Sequence, residues 1–549
     1  MPESPLDRSE EVTVRRSRLL RRLQNALAAA LLTSFILLGW IGRGPLEIGA
    51  GDDVIYLSLS RSLERGSYRE IYRASAPLHT KYPPGYPAWI LLVRRATGDS
   101  LDRIVVANLV LVALALLLLF AVARRLAGGW LAIALLLLLV LSHGVLWMGG
   151  SYYSEALFLL LSTASLASML PTSRPGHRAA WFAIALSLLA FLTRLIGLSL
   201  VLAVGVWLWS RRSRIELAVH SLASTLIIGG WFGYTRSASS GQSVRSYGSD
   251  FAGGAHRVAQ SALVRLAHRV WNNALEYGTQ VLPSELSLLS MPGTHIDDWI
   301  WLGIDIVLLA TGIVVLWKTW RAAALFLAAY GGALLLWPWA INRLLEPALP
   351  LVLLTLLLGA WRVARRLPVR VRSPALGLFV AVLALGAAHG AYDQIARSRQ
   401  CDRANPYESP ACFSEVKRSI VSASKYLREH ASAEAVVLSW RPSDIQFLSG
   451  RLGEHALLVA DAPTGGIARE LRDRNIQYVL LNSFFAGETG PLAHALLASC
   501  RELRVEARFA PHALLLSTVA PGETYPDACD ALASFVRENP NLTDPTGHG

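Results

Sequence analysis

The chain has 549 residues, of which 53% are hydrophobic and only 17% charged, with a formal net charge of +13. Runs such as LVLVALALLLLFAV (109–122) and WLAIALLLLLVL (130–141) are too long and too apolar for a soluble core; about 20 such residues cross the roughly 30 Å of bilayer hydrocarbon. This excludes an ordinary soluble protein, and it makes the excess of arginine a topology signal, not a nucleic-acid footprint.

The first apolar run, 24–42, follows VRRSRLLRR and reads as a retained helix, with residues 1–23 as a cytoplasmic tail. Basic clusters mark cytoplasmic loops: Arg15 to Arg22, Arg124/Arg125, Arg174/Arg178, Arg211/Arg212/Arg214, Lys318/Arg321 and Arg362 to Arg372. An even number of crossings must then separate neighbouring clusters. Between Arg22 and Arg124 lie three apolar stretches, so the shortest, 84–93, is assigned to the outer interface and 43–100 becomes one external loop. It carries Arg61, Arg65, Arg94 and Arg95, which long loops tolerate.

Residues 130–170 form a hairpin turning at GGSYYSE (149–155), and 179–209 another turning at LTRLIGL (192–198). Spans near 215–233 and 299–317 bracket an external loop, 236–297, and those near 320–338 and 347–361 turn outside at WAINRLLEP (339–347). A last span, 374–391, carries the C-terminus out. The expectation is a polytopic α-helical membrane domain over 24–391, with about eleven spans and the N-terminus inside.

Residues 392–549 read as an extracytoplasmic soluble α/β domain. EAVVLSW (434–440), HALLVA (455–460), IQYVLLN (476–482) and HALLLSTVA (512–520) read as strands, 465–475 and 491–503 as helices, and the chain beyond about 536 as frayed. All four cysteines, Cys401, Cys412, Cys500 and Cys529, fall here, which suits disulfides in an oxidising compartment. Of three connectivities, Cys401–Cys412 and Cys500–Cys529 are favoured.

The parity rule also puts every unusual polar motif on the outer face. Asp52 and Asp53, in GDDVIY, stand before a helix over 54–66; one can act as a general base while the other caps that helix, or both are caps. In HTKYPPGYPAW (79–89) the prolines stiffen a segment that presents His79, Lys81, Tyr82 and Tyr86. Arg194 and Arg343 stand at the turns of apolar hairpins, where a charge needs a wet cavity or a partner. With Lys81 they form a cation set suited to a phosphate. Glu155 either caps the helix it opens or belongs to the same site, and Glu346 is a candidate partner of Arg343. Asp52, Asp53 and Glu155 are an alternative set for a divalent cation, whereas no His/Cys spacing points to a structural metal.

These motifs, in this order, resemble the GT-C glycosyltransferases that use a polyprenyl-phosphate sugar, specifically the bacterial relatives of protein O-mannosyltransferases and of the lipid A aminoarabinose transferase. The resemblance rests on the acidic pair with Tyr56, the KYPPGYP segment, Glu155, the TRLIGL hairpin and the NRLLEP turn. It implies a bacterial-type inner-membrane enzyme, with Asp52 as catalytic carboxylate and Lys81, Arg194 and Arg343 on the donor phosphate. The sugar would pass with inversion to an extracytoplasmic acceptor, with no required cofactor. The chain departs from the pattern at Asp53, where a glutamate is usual, and at Tyr82, which separates Lys81 from the prolines. Competing readings are a flippase for a lipid-linked glycan, disfavoured because the charges lie at one face without a repeat, and a non-catalytic scaffold.

Overall fold

A computed structural model describes residues 5–49, 51–171, 177–239, 262–286, 295–338, 340–459 and 466–542. Arg174, Trp339 and parts of the expected loop 236–297 (240–261 and 287–294) lie outside the described residues. The apolar runs become helices in chain order. Helix α1 (Pro5–Ile41) is followed by α2 (Asp53–Glu64), α3 (Gly85–Thr97) and α4 (Leu101–Ala127). Helices α5 (Gly129–Leu141) and α6 (His143–Gly150) are bent by 63° at Ser142, whose hydroxyl accepts from Val145 N–H and so starts α6. Then come α7 (Glu155–Ser168), α8 (His177–Thr193), α9 (Leu198–Ser210) and α10 (Arg214–Ser239).

The expected external loop contains a helix, α11 (Ala262–Glu276), continuing through a π-turn into α12 (Leu282–Leu286). Beyond it are α13 (His295–Thr319), α14 (Arg321–Leu336), the single turn α15 (Asn342–Leu345), α16 (Leu349–Ala364) and α17 (Val369–Gln400). Among the described residues, five helices are long and apolar enough to cross a membrane, or six if the bent pair is one span. The remaining expected spans coincide with five shorter apolar helices of 10–17 residues.

Lipid gives apolar helices little hydrophobic reason to associate, so close backbone approach matters more. Helices α13 and α16 achieve it with glycine on both sides. A Cβ on Gly312 would lie 2.0 Å from Thr355 O, and one on Gly359 2.0 Å from Leu308 O. Three of the four arginines noted in the expected external loop pair with local acids: Arg94 with Asp99 (2.8 Å) and Glu64 (3.2 Å), Arg95 with Glu64 (3.4 Å) and Arg61 with Asp99 (3.8 Å). Local acids thus compensate the loop that breaks the basic-inside pattern.

The C-terminal unit contains α18 (Glu415–His430), β1 (Val436–Ser439), α19 (Pro442–Ser449), β2 (Leu452–His455), α20 (Ile467–Asp473), β3 (Tyr478–Asn482), α21 (Ala486–Leu497), β4 (Leu503–Phe509), β5 (Ala513–Thr518) and α22 (Asp527–Glu538). Its sheet runs β2-β1-β3-β5-β4, with β1 parallel to β2 and β3, and β5 antiparallel to β3 and β4. Disulfides join Cys401 to Cys412 and Cys500 to Cys529, the favoured pairing.

Three local expectations need correction. The strand expected at 455–460 lies earlier, at Leu452–His455, because Gly453 lets it pass Pro442, where a Cβ would come within 2.5 Å; Ala456–Val459 is a 3-10 turn. The helix expected over 491–503 ends at Leu497, and 503–509 is instead strand β4. Its alternation of Leu503, Val505, Ala507 and Phe509 with charged residues is the pattern of a charge-protected edge strand. Residues 537–542, expected to be frayed, are ordered: α22 runs to Glu538 and Leu542 is buried in a following turn, while 543–549 lie outside the described residues.

The C-terminal unit, expected to lie outside, is sewn to the loop that follows α1. Gly453 N–H donates to Tyr72 O (3.0 Å) and Ala74 N–H to Gly453 O (3.1 Å), so residues 72–74 extend the sheet beyond β2. Ser75 N–H donates to the Glu454 carboxylate at 2.6 Å. Replacing Gly359 by Val should force α13 and α16 apart at a backbone carbonyl that has nowhere to move, a loss of about 1–3 kcal/mol or more. Thermal unfolding in detergent would show it; an unchanged midpoint would contradict this close approach.

Candidate functional site

Asp52 occupies the N-cap position of α2 but makes no side-chain cap bond. Its carboxylate turns instead to Tyr82, whose hydroxyl donates at 2.5 Å, and to Arg343, whose Nη1 donates at 2.7 Å. Tyr82 is aimed by the proline segment. Tyr82 N–H donates to His79 Nε2 (2.9 Å), so the ring proton is on Nδ1 and is donated to Glu70 (2.9 Å). Arg73 joins Glu70 (3.2 Å) to Glu454 of the outer sheet (3.0 Å). A buried polar chain therefore runs from β2 through the first loop to Asp52. Gly85 sets the height of this segment: a Cβ there would lie 2.6 Å from Leu192 O, so the shelf rests directly on the Arg194 hairpin.

Glu155, 0% exposed, is more than a cap. One of its oxygens accepts from Arg194 (2.5 Å) and from Arg343 Nε (2.6 Å). Arg194 also donates to Ser154 (3.1 Å), which lies 3.3 Å from the Tyr56 hydroxyl, and the Arg343 guanidinium lies 3.9 Å above the Tyr153 ring. Turns far apart in sequence thus deliver one connected cluster.

The cluster faces a cavity of about 240 Å³ lined by Asp52, Tyr56, Lys81, Tyr82, Arg194 and Arg343. Leu195, Ile196, Trp337, Ile341 and Leu344 form an apolar rim. The lining also includes Arg441, a residue of the outer unit that the sequence reading did not single out. Lys81, Tyr82 and Arg441 also line an adjoining cavity of about 110 Å³, whose other walls include Tyr72, Trp440, His455 and Phe485. Burial alone would push the Asp52 carboxyl up. Arg343, Lys81 and Arg441, with the Tyr82 hydrogen bond, outweigh it and hold that carboxyl well below the usual carboxylate range.

Asp53 is separated from this site. It is 1% exposed, accepts from Glu47 N–H at 2.6 Å and lines a different cavity, of about 310 Å³, with Tyr152, Tyr153 and the Cys401–Cys412 disulfide. Burial pushes its carboxyl up to about 7, against the Glu47 N–H, which lowers it. Tyr86 is fully buried away from the cavity, its hydroxyl accepting from Asn108 (2.8 Å), and its ring meets Tyr56 edge-on. His79 supports Tyr82 from behind. The expected Glu346–Arg343 pair does not form among the described residues; Glu346 packs near Gly144 beside Glu285. Nor do Asp52, Asp53 and Glu155 form a cation site, since Arg343 stands between Asp52 and Glu155 and Asp53 turns away. Among the described residues no group of three His, Cys, Asp or Glu side chains is arranged to hold a metal.

No family model matches the chain, and no curated protein matches it by sequence. Solved structures do match in fold. ArnT from Cupriavidus metallidurans in the apo state superposes with a TM-score of 0.56 at 14% identity, over 90% of this chain and 98% of that one. The same protein bound to undecaprenyl phosphate gives 0.52 at 13% identity, with the same shares. Archaeal oligosaccharyltransferase AglB from Archaeoglobus fulgidus, in complex with an inhibitory peptide and a dolichol-phosphate, gives 0.50 at 12% identity, over 87% of this chain and 72% of that one. The chain shares the fold of these structures.

Two measurements check the site. Glu155→Gln leaves two buried guanidiniums without their shared anion, a defect worth about 3–5 kcal/mol; a thermal midpoint equal to that of the parent chain would rule out this bridging role. Asp53→Asn tests the raised carboxyl. Its folded-state value, about 7, lies above its usual 3.8, so the native aspartate costs stability progressively as pH rises between those values. The asparagine variant should therefore gain stability relative to the parent from pH 4 to pH 7 and keep a constant advantage above.

Proposed function

We propose that this GT-C-fold protein is a membrane glycosyltransferase that moves a sugar from a polyprenyl phosphate to an acceptor outside the membrane, with Asp52 as general base. The observation that carries the reading is the cavity itself. Part of its lining is apolar, and the rest sets four cations, Lys81, Arg194, Arg343 and Arg441, beside a single carboxylate, Asp52. An isoprenoid suits the apolar rim, and a phosphate suits the guanidinium fork. The lipid phosphates bound by ArnT and AglB support the same donor class.

The chemistry follows from the positions. The acceptor hydroxyl or amine gives its proton to Asp52 as its heavy atom attacks the anomeric carbon, and the bond from that carbon to the phosphate oxygen breaks. Polyprenyl phosphate leaves with the electron pair, its charge met by the cations, so no general acid is required. Attack opposite the leaving group inverts the anomeric centre.

Arg343, paired with Asp52, suppresses its basicity. A donor phosphate that engages Arg343 and Lys81 places an anion beside Asp52, and this raises the carboxyl toward a working base. The orientation we infer is N-terminus inside and outer unit outside, which puts the cavity at the rim of the outer leaflet.

Purified protein incubated with labelled polyprenyl-phosphate sugars should release sugar from the lipid. Asp52→Asn should slow that release about a hundredfold or more while still binding the lipid. Arg343→Gln should instead weaken donor binding and slow turnover together. Failure of folded protein to bind or consume any such donor would remove this reading in favour of glycan transport.

A further inference from the structure

Arg441 is the one cation of the cavity that the membrane domain does not supply. It stands at the start of α19, where Pro442 occupies the first helical turn with the φ that a helix needs. Asp444 in the same turn is 0% exposed; its carboxylate accepts from Gly49 N–H (2.8 Å) and from Arg441 Nε (3.4 Å). Arg441 Nη2 donates to Gly51 O, the carbonyl immediately before Asp52. A Cβ on Gly51 would lie 2.7 Å from the Tyr153 hydroxyl and 2.4 Å from Asp53, so the turn before Asp52 admits no side chain there. The bonds to Asp444 and Gly51 hold the Arg441 guanidinium at the wall of the cavity it lines.

The charges of the membrane part leave room for this group. Asp52 and Glu155 already offset Arg343 and Arg194 in direct ion pairs. A phosphate that draws Arg343 away from Asp52 is held more firmly when further cations line the same cavity. Lys81 and Arg441, the latter also paired with Asp444, both line the two adjoining cavities.

We propose that Arg441 binds the phosphate of the lipid donor, so that the outer unit completes the anion site of the membrane domain. This rests on the donor reading above. The site takes a phosphate ester whose tail leaves along the apolar rim, and it exists only while α19 is docked on the loop 49–53.

The test uses the full-length protein in nanodiscs with undecaprenyl phosphate, and undecaprenol as the phosphate-free control. Hydrogen exchange of the unmodified protein should slow at residues 440–445 on adding the phosphate lipid but not the alcohol. Equilibrium binding should weaken about tenfold or more in Arg441→Gln, and less in Arg441→Lys, which keeps the charge and loses the fork. If Arg441→Gln does not fold, the exchange measurement and Arg441→Lys carry the test. Protection confined to the membrane domain, with unchanged affinity in the variants, overturns the assignment of Arg441 while leaving the donor reading intact. Absence of lipid binding by the unmodified protein removes both.

Discussion

The fold around the candidate site depends on one buried carboxylate. Glu155 begins α7 with no exposure to solvent, and an ionised acid there needs cations. Two arrive from separate turns, Arg194 after α8 and Arg343 in α15, and both bind the same oxygen. Arg343 then has a second amino group to spare, and it reaches Asp52. The ion pairs thus join the first loop, the α6–α7 turn, the α8–α9 turn and the α14–α16 connection. Their geometry is held from below by glycines that admit no Cβ, at Gly85 against Leu192 and at Gly197 against Ala190 and Phe191.

A cluster so balanced is strong structurally and chemically restrained. Asp52 is ionised and tied down, and this makes it a poor base until another anion competes for its partners. In the proposed reaction the donor is that anion, so the arginine that pairs with Asp52 also meets the charge on the phosphate. Tyr82 stays on Asp52 throughout, and the buried chain through His79, Glu70 and Arg73 keeps it aimed. Glu70 shows how firmly that chain is set: burial raises its carboxyl, yet the His79 hydrogen bond and Arg73 bring it down to about 2. Its contribution is present above the usual value of 4.5 and is lost as pH falls toward 2.

The outer unit belongs to the same construction. Its edge strand takes residues 72–74 into the sheet, its Glu454 binds Arg73, and its Arg441 and Asp444 bind Gly51 and Gly49, just before the acidic pair. Moving this unit would shift the loop that positions Asp52, whatever ligand is present. The Cys500–Cys529 disulfide lies within the unit, and Cys401–Cys412 joins the C-terminal end of α17 to the segment leading into α18.

Much of this was legible in the residues themselves. Arginine distribution and apolar length located the helices, because lipid forces backbone hydrogen bonds to close within each segment. Charges at the turns of apolar hairpins marked Arg194, Arg343 and Glu155, since a buried charge must find partners. What the sequence left open was decided by contacts between distant segments. Adjacent acids look alike in GDDVIY, yet the backbone turns Asp52 to Arg343 and Asp53 to Glu47. Glu346 stands three residues from Arg343 but loses it to Glu155 and Asp52. Arg441, in a loop of an unremarkable α/β unit, carries no local signal at all; only the docking of α19 on the first loop brings it to Asp52. Local pattern sets which groups must be paired, and tertiary packing sets with whom, because the partners lie hundreds of residues apart.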